Sequence, residues 1–195
     1  QAVAAAARLG YPVVLKILSR DIAHKTEVGG VEVGIADESA LRAGWRRIMA
    51  SVKDRRPDTA IDGMLVQAMA APGIEAIIGA RHDSTFGPVV LLGVGGVLAE
   101  AFRRAAVRPV PLSPHDAECM IDETGLGAVL ASARRGKPSD RPALVEALLG
   151  VSRLMMEHGA RIAELDVNPV RVLLKGEGVL ALDGLVATRR GEAHG

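Results

Sequence analysis

Aromatic residues are scarce in this chain, with one Trp, one Tyr and two Phe among 195 residues. A surface that stacks the bases of single-stranded nucleic acid needs more rings than that. Charge of one sign is not in excess either: 24 Lys plus Arg stand against 23 Asp plus Glu, a net +1, so the basic surface that a nucleic-acid backbone requires is missing. Nucleic acid is therefore not an expected partner. Cysteine is limited to Cys119, which excludes an internal disulfide framework and fits a reducing, cytoplasmic setting. Its helical spacing between Asp116 and Ile121 marks it as a small core residue rather than a nucleophile. No apolar run reaches the length of a membrane span, and no basic region with a following signal core opens the chain, so no membrane partner is expected. The motifs G-x-S-x-G and H-E-x-x-H are absent, as are paired cysteines, which sets aside a serine nucleophile and a zinc centre. The start also lacks Met. Its Ala-rich stretch QAVAAAARLG reads as the tail of a helix closed by Gly10, and the chain as a piece of something longer.

What is present is enough apolar residue, 49%, to bury a substantial core in one domain or two lobes. After the opening helix come two strands rich in β-branched residues, 13–18 and 31–35. A helix started by Asp37 follows, carried by Leu41, Trp45, Ile48 and Val52, with Trp45 expected in the core. The charged turn 53–57 closes a first lobe, about 10–60. The second lobe, about 61–187, opens with apolar segments 63–70, 74–80 and 88–94, which are divided by turns and read as an antiparallel meander. Ser113 and Pro114 begin a helical stretch running to about Arg134 with a break at Gly125 and Gly127. Residues 135–140 form a loop, and 144–156 return to helix with Met155 and Met156 as core filler. Residues 188–195 are a charged tail.

Three stretches can carry chemistry. In YPVVLKILSRDIAHKTEVGGVEV, Lys16 sits in an apolar strand just before a loop that holds Ser19, Arg20, His24, Lys25, Thr26, Gly29 and Gly30. A strand-borne ammonium, loop amides and the Lys25 and Thr26 side chains together suit a polyphosphate, although a strand–loop–strand hairpin with a lysine can equally be only a hairpin. The second stretch is the C-terminal hairpin ARIAELDVNPVRVLLKGEGVLALDGLV. A turn centred on Gly176-Glu177 sets Asn168 opposite Leu185 and Val170 opposite Asp183, so Asp166, Asn168 and Asp183 share a face. Three oxygen donors in a small area are the ligand type that Mg²⁺ takes beside substrate phosphates, provided the register holds. The bland alternative is that Asp166 and Asn168 only make a turn before Pro169. The third stretch, GPVVLLGVGGVLAEAF, has Gly93, Gly95 and Gly96 where a backbone can approach a ligand, and Glu100, which suits a ribose hydroxyl, a metal or a basic side chain. Such glycines also serve ordinary turns, and no G-x-G-x-x-G opens a helix.

Taken in order, VVLK, SRDIAHKTEVGGV, LVQ, RHDSTFGPVVLLGVGGVLAE, VRPVPLS, ELDVNP and ALD resemble the ATP-grasp domain of ADP-forming acyl-CoA synthetases. The likeness is to the acetyl-CoA synthetase beta subunit type, related to the succinyl-CoA synthetase beta chain, and runs over about 10–187. It implies an α+β fold of two lobes whose antiparallel sheets clasp ATP or ADP, with 1–187 as an N-terminally incomplete domain. The activity implied is that of a ligase, reversibly passing a phosphoryl group between ATP with Mg²⁺ and a phosphohistidine. That histidine belongs to a CoA-binding partner domain or subunit. By position the resemblance makes Lys16 the phosphate-contacting lysine, with Ser19, Lys25, Gly29 and Gly30 in the loop over the phosphates and His24 a relay or positioning histidine in it. Val66 and Gln67 fall at the adenine-reading hinge, Glu100 and Arg108 on the nucleotide side, and Asn168 and Asp183 as Mg²⁺ ligands. Ala68 replaces a hinge glutamate and Arg104 an aspartate of the usual pattern. Related chains carry this domain fused to a lysine acetyltransferase, so a nucleotide-sensing module of such a protein is the alternative.

Overall fold

The computed structural model describes residues 1–22, 25–96, 104–132 and 137–189, and the chain divides into two compact units, Gln1–Ala70 and Ala71–Gly195. In the first, α1 (Ala2–Leu9) is closed by Gly10, whose N–H donates to Ala6 O at 2.9 Å. Strands β1 (Val13–Leu18), β2 (Val31–Ile35) and β3 (Gly63–Ala68) form an antiparallel sheet in the order β2-β1-β3. Helix α2 (Glu38–Arg55) starts where Asp37 Oδ1 accepts the Ala40 N–H at 2.8 Å, a side-chain cap that satisfies an otherwise orphaned donor. Its Leu41, Ile48 and Val52 pack with Val13, Leu15 and Ile17 of β1 in one apolar cluster. Because side chains alternate along a strand, Val14 and Lys16 take the other face of the sheet.

This arrangement departs from expectation in two places. Trp45 is 37% exposed, and Gly44 takes the buried position on α2 instead, lying against the Glu32 carboxylate that Arg47 pairs with. The stretch expected to open the second lobe as part of a meander is β3, and it pairs with β1 along its whole length, from Val13 opposite Ala68 to Leu18 opposite Gly63. The division therefore falls after Ala70 rather than at the charged turn.

The second unit is a six-stranded antiparallel sheet with helices on one face. Strands β4 (Ile74–Asp83), β5 (Gly87–Val94), β6 (Ala105–Pro109), β7 (Ile162–Val172) and β8 (Val179–Ala181) run in the order β6-β5-β4-β7-β8, and β9 (Gly184–Thr188) pairs with β7 beyond β8. Helices α3 (Pro114–Glu123), α4 (Leu126–Ala131) and α5 (Arg141–His158) cover the face bearing Ile74, Ala76, Ile78, Val90, Leu92, Leu165, Val170 and Val172. Helix α3 has the expected start as a full capping box: Asp116 N–H donates to Ser113 Oγ at 3.1 Å and Ser113 N–H to Asp116 Oδ2 at 2.9 Å. Gly125, at φ +82, makes the break that divides α3 from α4, and α4 ends at Ala131. Arg141 ties α5 to α3 through Glu118 at 2.5 Å and Asp122 at 2.7 Å. Met155 is core as expected, but Met156 is 57% exposed, one residue round the helix. Cys119 is half-buried, with Sγ 3.6 Å from His115 Nε2 on the same helix, so it lies at the rim rather than in the core. Gly95 and Gly96 meet protein: a Cβ on Gly95 would stand 3.2 Å from the Glu75 backbone, and one on Gly96 2.5 Å from the Glu75 carboxylate. Among the described residues no helix is long and apolar enough to cross a membrane.

The β7–β8 turn is bolted down from outside. Glu177 N–H donates to Leu174 O at 2.8 Å, which centres the turn on Lys175-Gly176. Asp140, 8% exposed at the start of α5, accepts N–H from Gly176 and Gly178, each at 2.9 Å, and its own N–H donates to Leu173 O at 2.8 Å. Burial pushes the Asp140 carboxyl up, but the N–H donors of Gly178, Gly176 and Ala143 and the charge of Lys175 outweigh it and hold it below the usual carboxylate range. A group depressed in the folded state contributes stability above its unfolded value of about 3.9 and loses it as pH falls through the folded one. Asp140→Asn is thus expected to cost about 1–3 kcal/mol at pH 7. Urea unfolding should show the gap to wild type narrowing at pH 3.

Candidate functional site

Lys16 lies on the sheet face away from α2, between Val31 of β2 and Leu65 of β3, and Gln67 sits one pairing step along, opposite Val14. Val66 pairs with Leu15 inside the same ladder and packs its side chain toward the core, so that side chain is not presented on the face that carries Lys16. The loop after β1 is anchored to α2, where Ser51 Oγ donates to Val28 O at 3.0 Å and Arg55 donates to Glu27 O. Gly29 and Gly30 are demanded by this packing. A Cβ on Gly29, at φ +67, would stand 2.4 Å from Ser51 Oγ, and one on Gly30 2.6 Å from Ile17 Cγ2. Their N–H groups donate to Thr26 O at 3.0 Å and Lys25 O at 2.7 Å, so they shape the loop instead of offering amides outward. Ser19 Oγ accepts the Asp21 N–H at 3.1 Å. His24 and Glu100 lie outside the described residues.

In the second unit the expected oxygen donors lie on a hairpin whose register differs from the one the expected turn gives. Because the turn is centred one residue earlier, Val170 faces Ala181, Asp166 faces Leu185, and Asn168 N–H donates to Asp183 O at 3.1 Å. Asn168 and Asp183 are thus direct neighbours, where facing residues stand about 4.5–5.5 Å apart. Leu165 and Val170 both enter the core although they lie five positions apart, an odd step that strict alternation would send to opposite faces. Strand β7 must change phase between them, and it does so at a bulge: Ala76 faces Val170 while Ile78 faces Val167. Asp166, before the bulge and opposite Gly79, and exposed Asn168, within it, both take the face away from the helices. Gly79 and Gly93 leave that face low beside them.

The donor set consists of two carboxylates and one carboxamide. Among the described residues no group of three or more His, Cys, Asp or Glu side chains gathers as a metal site. Such a small, all-oxygen set fits Mg²⁺, which is held by one or two carboxylates together with waters and substrate phosphates. Arg108 is not brought to this face. Its guanidinium pairs with Glu123 of α3 and donates to Val107 O at 3.0 Å, on the helix side of the sheet. Glu75 was not singled out from the sequence; its 2.5 Å pair with Arg171 joins β4 to β7 next to the bulge, and only strand pairing reveals it.

A family model described as an ATP-grasp domain matches residues 1–187. The chain belongs to the ATP-grasp family. It is 37% identical over 181 residues to the beta subunit of ADP-forming acetate–CoA ligase II of Pyrococcus furiosus, covering 93% of this chain and 77% of that one. To ADP-forming acetate–CoA ligase I of Archaeoglobus fulgidus it is 38% identical over 172 residues, 88% of this chain, and it spans about a quarter of that ligase's length. Among solved structures it is similar to the dinucleotide-forming acetyl-coenzyme A synthetase 1 of Ca. Korarchaeum cryptofilum in complex with coenzyme A and Ca-AMPCP. The TM-score is 0.85 at 41% identity, over 96% of this chain and 81% of that one. In another state that enzyme carries Mg-AMPPCP with its phosphohistidine segment pointing towards the nucleotide binding site, with a TM-score of 0.74 at 38% identity. These antiparallel sheets and helices are those of an ATP-grasp domain.

Asn168 is exposed and Asp183 half-buried on a face that carries little of the core. Asn168→Ala and Asp183→Ala are expected to change the stability of the ligand-free protein by no more than about 1 kcal/mol. Thermal unfolding without nucleotide measures this, and a large loss would assign both residues to turn formation.

Proposed function

We propose that this chain is the nucleotide-binding, phosphoryl-transferring part of an ADP-forming acyl-CoA synthetase. It would work with a CoA-binding domain or subunit that carries the phosphohistidine. The observation that carries this reading is the pairing of Asn168 with Asp183 on an open sheet face that also bears Asp166. The ligases among its relatives, and the phosphohistidine segment of the Korarchaeum enzyme, favour this over a regulatory module of a lysine acetyltransferase.

The strand sets the face on which Lys16 stands, so its ammonium is directed toward the nucleotide phosphates and offsets their charge as a phosphoryl group leaves. Ser19 and Lys25 reach the same phosphates from the loop that Gly29 and Gly30 shape. The Val66 backbone and Gln67 read the base. Asn168 and Asp183 would hold Mg²⁺, which supplies charge neutralisation at the phosphate oxygens when bound. The γ-phosphoryl group passes from ATP to an imidazole nitrogen of the partner's histidine, ADP departs with the electron pair of the broken P–O bond, and the reverse direction makes ATP. His24 either relays the group or orients it.

Calorimetry with ATP and ADP, with and without Mg²⁺, is expected to show binding that depends on the metal. Lys16→Ala should weaken it by about 1.5–3 kcal/mol, the scale of a charge-assisted hydrogen bond. Equal affinity with and without Mg²⁺ would remove the role given to Asn168 and Asp183. With the full-length partner present, γ-labelled ATP should transfer label to protein. His24→Asn keeps a donor but no nucleophile, so transfer at the wild-type rate in that variant would exclude an obligatory relay.

A further inference from the structure

We infer that Asp140 is a positioning residue for the Asn168–Asp183 pair, acting through the β7–β8 turn; the inference rests on the reading that this pair holds Mg²⁺. The turn sequence Leu174-Lys175-Gly176-Glu177-Gly178 offers two centres. A two-residue turn with glycine first is a favoured hairpin, so Gly176-Glu177 is available as well as the observed Lys175-Gly176. The competing turn would set Asn168 opposite Leu185. It would move Asp183 one pairing step away from Asn168, about 7 Å along the strand. A single turn choice thus makes or parts the pair.

Asp140 decides between the two. Its Oδ2 accepts from both Gly176 and Gly178, and its backbone N–H donates to Leu173, so three bonds from one residue grip both arms of the turn. Neighbouring residues extend the grip: Lys175 N–H donates to Pro138 O at 2.9 Å, and Ser139 bridges to Leu174. Gly176 and Gly178 stand at φ +88 and +83, the left-handed conformation in which their N–H groups converge on one oxygen. Asp140 also caps α5 by accepting the Ala143 N–H at 3.3 Å. The cap alone does not explain the acid, because asparagine caps a helix as well as aspartate does. What asparagine lacks is a second acceptor oxygen, so it serves either the cap or the turn.

The test is Asp140→Asn in the full chain, beside Asp183→Ala, reading ADP binding by calorimetry across a Mg²⁺ titration. The expected result is that the Mg²⁺ concentration for half-maximal binding rises at least tenfold in Asp140→Asn, while ADP affinity at saturating Mg²⁺ stays within twofold. A role confined to stability lowers the melting temperature and leaves the Mg²⁺ midpoint in place. A folded Asp140→Asn with the wild-type midpoint, against a shifted midpoint in Asp183→Ala, overturns the inference and leaves the metal reading standing. An unshifted midpoint in Asp183→Ala overturns the metal reading and the inference with it. Should Asp140→Asn fail to fold, insertion of one glycine between Gly176 and Glu177 decides, because it displaces the turn with Asp140 intact. A raised midpoint then supports control by the turn, and an unchanged one shows that the core alone sets the register and overturns it.

Discussion

In a hairpin whose strands alternate, every side chain is placed by where the turn begins, and in this protein that place is held by a buried carboxylate from another element. Asp140 brings two glycine N–H groups of the β7–β8 turn to one oxygen while its other oxygen caps α5. The start of a helix and the register of a hairpin are thereby one structural event. The hydrogen bonds overcome the cost of burying the charge, as the depressed carboxyl shows. From that register follow the facing of Asn168 by Asp183 and of Asp166 by Leu185.

A second constraint works with the first. Strand β7 supplies Leu165, Val170 and Val172 to a core under three helices, yet it must also present Asp166 and Asn168 on the opposite face. Strict alternation cannot do both, and the bulge against β4 resolves the conflict by giving β7 one extra residue between Ala76 and Ile78 of its partner. The Glu75–Arg171 pair spans the two strands beside it. Polar residues interrupting an apolar strand are thus the outward half of a strand that changes phase.

The first unit reaches a similar result by simpler means. Its one long helix takes the face of β1 bearing Val13, Leu15 and Ile17, so the alternation itself delivers Lys16 to the other side. Gly29 and Gly30 allow the loop after β1 to lie against Ser51 and Ile17, and their amides are consumed in doing so. The glycines therefore serve the shape of the loop, and any phosphate contact proposed for it falls to side chains.

Much of this was legible in the chain itself, wherever a local rule operates. Richness in β-branched residues marked β1 and β2 to the residue, Asp37 and Ser113-Pro114 marked two helix starts, and the ordered motifs from VVLK to ELDVNP marked the family. The chemical types proposed for phosphate and metal, an ammonium in one strand and oxygen donors in a hairpin, needed only residue identity and period. Tertiary structure decided what period alone leaves open. It gave β3 to the first sheet, because hydrogen bonding to β1 carries no signature in β3's own residues. It turned Trp45 and Met156 outward, because each lies one step from a small or core residue that packs better on its helix face. It sent Arg108 to Glu123 on the helix side of the sheet. It also chose between two turns of nearly equal local merit, and that choice came from Asp140, far away in sequence, because a turn's register is settled by whichever distant group satisfies its amides.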